Sequence, residues 1–118
     1  MKRFITLLIF ASTSGLAVAG YDVHITRKEN WFDETGPCIT AKDLQRLLKA
    51  DKSVRADKEN PGPNFVVTLP GEQFPLWLSH DKCNLETKNP SPNALKKLSA
   101  IAKFLDARAQ GDDGETYP

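Results

Sequence analysis

Residues 21–26, YDVHIT, alternate along the chain: Tyr21, Val23 and Ile25 fall on one side, Asp22, His24 and Thr26 on the other. That two-residue period predicts a strand with one buried face. A loop with the breaker Gly36-Pro37 follows. Thr40 then stands where a helix N-cap belongs, with Asp43 three residues on to complete a capping-box variant and Ile39 placed to staple onto Leu44. Leu44, Leu47, Leu48 and Val54 make the inward stripe of that helix, and Lys42, Arg46 and Lys49 its solvated side. Residues 65–69 (FVVTL) and 74–78 (FPLWL) read as strands joined by the four-residue turn PGEQ. Pro75 lacks an amide donor, so its strand lies at an edge or has its donor side free there. CNLETK extends the meander. Ser91 caps a last helix that opens on Pro92 and is apolar along Leu95, Leu98, Ile101, Ala102 and Leu105. Residues 107–110 finish it or start a short strand. The order predicts an α+β domain: a small antiparallel sheet of three to five strands with two helices packed on one face.

The first 19 residues stand apart. Lys2 and Arg3 precede the apolar run FITLLIF, and Ala17-Val18-Ala19 gives a small-x-small site before Gly20. This pattern predicts a secretory signal over 1–19, and a single domain over 20–118 in the periplasm or outside the cell. Polar residues from Ser12 interrupt the run well short of the ~20 apolar residues that a spanning helix needs, so no membrane association is expected once the signal is removed. The chain holds 16 basic and 15 acidic residues. Two of the basic ones lie in the leader, leaving a net charge near −1, which is not the footprint of a nucleic-acid binder. Export also bears on Cys38 and Cys83, the only cysteines. Two thiols in an oxidising compartment predict one disulfide, worth up to roughly 4 kcal/mol by loop entropy.

Two stretches, YDVHITRKENWF near the start and LSAIAKFLDARAQGDDGETY near the end, resemble the ends of a group of small bacterial proteins. That group has a YDVHITR-type first strand, an ITAKDL-like helix start and an IAxxLxARxQGDDGExY-type ending. The resemblance implies a fold and a domain boundary, with no reaction attached. The signal segment, the cysteine pair and Leu44, where the group commonly has an aromatic, are departures from it.

Candidate chemistry is sparse. His24 and His80 are the only histidines, and the H-x-x-C spacing of His80 and Cys83 offers a weak metal-binding reading. A disulfide to Cys38 would remove Cys83 from it. Ser79, His80 and Asp81 are adjacent, and neighbours on an extended chain point to opposite faces, so they do not make a triad. No nucleophile elbow or phosphate-cradling glycine loop is present. No enzymatic activity and no cofactor are expected. The acidic cluster Asp112, Asp113, Glu115 fails the spacing of a calcium loop, because Gln110 and Gly111 stand where carboxylates are needed. Asp112, Asp113 and Gly114 read instead as a turn with Gly114 in a left-handed conformation. Trp31 and Phe32 in the first loop and Trp77 on a strand are the candidate interaction surface. Both loop aromatics have two open readings, packing on the core or exposure; Trp77 leans to burial. The resulting expectation is an exported, non-catalytic protein-binding module, such as an immunity- or inhibitor-type protein. Its alternative is a small metal- or ligand-binding protein using His24 and His80.

Overall fold

A computed structural model describes residues 21–118; the expected leader, residues 1–19, lies outside them. In chain order the elements are β1 (Asp22–Thr26), α1 (Ala41–Ala50), β2 (Val54–Ala56), β3 (Asn64–Leu69), β4 (Glu72–Leu78), β5 (Leu85–Lys88), α2 (Pro92–Phe104), β6 (Arg108–Gly111) and β7 (Thr116–Tyr117). The strands form one sheet in the order β2-β3-β4-β5-β1-β6-β7, with every neighbouring pair antiparallel. The α+β class, the two helices and the disulfide are as the pattern predicts.

The strand count is not. The sheet has seven strands where three to five were expected. Val54 extends the apolar stripe of α1, but the helix has already ended. Asp51 takes extended dihedrals there, its carboxylate accepting from the Ser53 amide (3.0 Å) and hydroxyl (2.6 Å) and from Lys97 Nζ (2.6 Å). The chain turns on these bonds, and Val54 enters the core from β2. At the other end, β7 has two residues, too few for any period to register. The turn between β3 and β4 is also tighter than expected. Leu69 pairs with Glu72, so Pro70 and Gly71 alone make the reversal, with Gly71 at φ 82; Pro followed by a glycine at positive φ is the pattern of a type II turn.

Alternation assigns the faces. Val23 and Ile25 of β1, Leu85 of β5, Leu76 and Phe74 of β4, Val67 and Phe65 of β3 and Ala109 of β6 are all buried with Leu44 and Leu47 of α1 and Ala94, Leu98, Ile101 and Ala102 of α2 in one cluster. Both helices therefore cover the same face. Thr40 caps α1 in a complete capping box with Asp43, and Ser91 caps α2 with Pro92 at its first position; four otherwise unpaired amides at each helix start make such residues favourable.

Pro75 lies in a central strand, and its geometry shows how. A residue's N–H and C=O point to the same side of a strand, and the Pro75 carbonyl accepts from Thr87 Oγ1 of β5 (2.6 Å). The missing amide thus faces β5, where the described ladder runs only through Trp77–Glu86 and Leu78–Leu85. A side-chain hydroxyl replaces the backbone rung.

The opposite, outer face carries Asp22, His24 and Thr26 of β1, Glu86 of β5, Trp77 of β4 and Gln110 of β6. The register sets Trp77, Glu86, His24 and Gln110 in one row across four strands. The loop 27–39 must pass from this face to α1 on the other, and it does so around the start of β5. Ile39 N–H donates to Cys83 O (3.1 Å), and Cys38 is disulfide-bonded to Cys83 with their Cα atoms 5.2 Å apart.

Candidate functional site

An imidazole in the middle of a sheet row meets whatever its two neighbouring strands present. For His24 these are Glu86 on β5 and, beyond Gln110 of β6, the turn that follows β6. His24 is 2% exposed. Its Nδ1 lies 3.2 Å from Glu86 Oε2 and its Nε2 3.0 Å from Asp112 Oδ1. An ionised carboxylate only accepts hydrogen bonds, so both bonds are satisfied together when both ring nitrogens carry protons. Burial alone works against that charge and would lower the pKa. The hydrogen bonds and charges of Glu86 and Asp112 outweigh it, and the pKa is raised above its ordinary value.

Against this ring lies Trp31, parallel within 3° and with ring centroids 3.7 Å apart, a stacking that favours the protonated form further through cation–π attraction. Every polar group of Trp31 is also engaged. Its amide donates to Gln110 Oε1 (2.8 Å), its indole Nε1–H to Asp112 O (3.2 Å), and its carbonyl accepts from Asn84 Nδ2 (2.8 Å). Trp31 is thereby held by β1, β6, the closing turn and the residue before β5.

The rest of the loop follows the same logic. Gln110 Nε2–H donates to Glu29 O (2.9 Å) and Lys28 Nζ to Asp33 O (2.9 Å); Arg108 donates to Lys28 O. Asn30 and Asp33 close a turn through Asp33 N to Asn30 O (3.0 Å) and Asn30 N to Asp33 Oδ2 (3.0 Å). At the centre of this bonded frame stands Phe32, edge-on to Trp31 and 46% exposed. Of the two loop aromatics, Trp31 is folded onto the sheet and Phe32 is displayed.

Asp112, Asp113 and Gly114 form the turn between β6 and β7. Gly114 N–H donates to Gly111 O (3.0 Å), Gly111 N–H to Glu115 O (2.9 Å), and Gly114 has φ 86. Asp112 does more than turn the chain: its Oδ2 also accepts from the Asp22 amide (2.9 Å). Tyr21 donates its hydroxyl to Glu115. A Cβ on Gly111 would overlap both the Tyr21 hydroxyl and the Glu115 carboxylate, so the glycine permits the close approach.

The two histidines have unlike surroundings. His24 is buried with both nitrogens engaged, on opposite sides of the ring; His80 is exposed in the turn after β4. The described residues contain no group of three or more His, Cys, Asp or Glu side chains placed to hold a metal ion. Trp77 is half-buried on the outer face beside Glu86. Towards the β2 edge, an open cleft of about 730 Å³ is lined by Arg55 of β2, Val66 of β3 and Gln73 and Pro75 of β4 with the loop 57–59. Its walls mix Arg55 and Lys58 with Asp57 and Glu59, which favours neither sign of ligand.

Sequence reasoning missed Glu86, Gln110, Asn84 and the side-chain role of Asp112. The signal available was the polar side of the first strand: a histidine flanked by Asp22 and Thr26 next to a tryptophan-bearing loop. Comparison with protein-family models, with curated proteins and with solved structures returns no match for this chain.

Proposed function

We propose that the protein is an exported, non-catalytic protein-binding module of the inhibitor or immunity type, acting in the periplasm or outside the cell, and that Phe32 anchors the partner. The observation that carries this reading is the contrast within one dipeptide: Trp31 has all its polar groups bonded and its ring stacked, while Phe32 beside it is left 46% exposed. A displayed apolar side chain on a loop already ordered binds without the entropy cost of ordering that loop, and central aromatic anchors dominate interface energetics. Among the described residues no helix is long and apolar enough to cross a membrane.

The test is capture from periplasmic extract by the oxidised protein and by a Phe32→Asp variant with unchanged melting. The reading predicts a defined partner retained by the native protein and lost by the variant. Recovery of nothing beyond abundant chaperones, or equal recovery by both proteins, would contradict it.

A further inference from the structure

The helices carry a second surface, on the opposite side of the molecule from Phe32. Two contacts fix how they lie: Arg46 of α1 stands 5.1 Å over the Phe104 ring of α2, and Lys97 of α2 reaches Asp51 just past α1. Residue numbers rise along one helix as they fall along the other, so the helices are antiparallel. Arg46–Phe104 and Asp51–Lys97 bridge the space between them, and their solvent-facing stripes flank this seam. On α1 the stripe is Lys42, Gln45, Arg46 and Lys49; on α2 it is Lys96, Ala100, Lys103 and Phe104, the i, i+4, i+7, i+8 spacing of one face.

Every exposed charged residue of both helices is basic, although the domain as a whole is near neutral. Two acids beside the helices are already paired, Asp43 with Arg27 (2.6 Å) and Asp51 with Lys97 (2.6 Å); Asp106, just past α2, is exposed. Within this basic frame Phe104 is 43% exposed, and it and Phe32 are the large exposed apolar residues of the described chain. A solvated helix face needs no aromatic, and an apolar one needs no ring of cations.

We propose that the α1–α2 seam docks an acidic, amphipathic segment of a partner protein, with an apolar side chain on Ala100 and Phe104 and carboxylates on Arg46, Lys49 and Lys103. Helix grooves take amphipathic segments in this way, apolar contacts giving the anchor and flanking charge the register and orientation.

The proposal is tested by fluorescence anisotropy with a labelled helical peptide of Glu and Leu. A Glu/Ser peptide of equal charge and phosphatidylglycerol vesicles serve as the other arms. The Glu/Leu peptide should bind with an affinity that falls as salt rises. Arg46→Glu with Lys103→Glu should weaken it at least about tenfold by turning attraction into repulsion, and Phe104→Ala should weaken it without changing the salt dependence. All three positions are exposed, and Lys49→Glu provides a further charge reversal should the double variant melt early. Phe32→Asp should leave peptide binding unchanged, which separates this surface from the outer-face loop. No binding of the Glu/Leu peptide, binding indifferent to charge reversal, equal binding of the Glu/Ser peptide, or binding of the vesicles in preference to the peptide would each overturn it.

Discussion

At the residue scale, His24 is where fold and surface meet. Its side chain is nearly water-free, yet the two carboxylates that flank it favour its charged form and raise its pKa. A buried charge is tolerated only when paired, and removing one member leaves the others unpaired, at a cost typically of several kcal/mol. His24→Gln should therefore destabilise the protein by about 2–4 kcal/mol near pH 6. The pH dependence follows from the raised pKa. The imidazolium contributes in full below the unfolded value of 6.5, and the contribution is lost as pH rises through the folded value. Urea unfolding of native and variant proteins from about pH 6 to about pH 9 should show the gap between them narrowing. A constant gap would mean that the imidazole is not held charged.

At the element scale, the two caps and the periodic stripes made α1, α2, β1, β3 and β4 legible, because each is specified by residues within one or two turns of chain. What was not legible depends on distant residues. The end of α1 is set by Asp51 bonding to Ser53 and to Lys97, which is 46 residues away. The bonds of His24 span 62 and 88 residues, and no local period reports them. Arg27 shows the same non-local logic. Its guanidinium binds both oxygens of Asp43 (2.6 and 2.9 Å), Leu105 O (2.7 Å) and Cys38 O (3.1 Å). It thus joins the end of β1 to the start of α1, the end of α2 and the end of the loop. That guanidinium, together with the Thr40 bonds, holds the Asp43 carboxyl well below the usual carboxylate range. Bidentate pairs of this kind are the strong ones, so Arg27→Ala should cost about 2 kcal/mol or more. The loss should appear as a lower urea midpoint at neutral pH. It should fade in strong acid, where a carboxylate with a depressed pKa loses its stabilising contribution. A midpoint unchanged at neutral pH would remove Arg27 from the account.

At the scale of the whole molecule, the sheet separates two surfaces of different character. One face bears helices with a basic seam; the other bears a loop bound down by β1, β6 and the closing turn. The disulfide sits where that loop crosses from one face to the other. The acidic ending, read from the sequence as a turn, is also part of this architecture, since Asp112 holds His24, the Asp22 amide and the Trp31 indole at once. The two surfaces proposed to bind partners were half legible. Phe32 could be singled out from its place in an aromatic loop. Phe104 could not, because it continues an apolar helix end and only the packing of the two helices shows that its ring is left outside. Bonded to β1, β6, the closing turn and Asn84, the loop is a rigid display rather than a flexible tether. Native-state hydrogen exchange at the Trp31 amide, which donates to Gln110, tests it most directly. Protection should approach that of the core strands, and slow exchange should be lost in His24→Gln. Exchange at the rate of an unstructured loop in the native protein would contradict it.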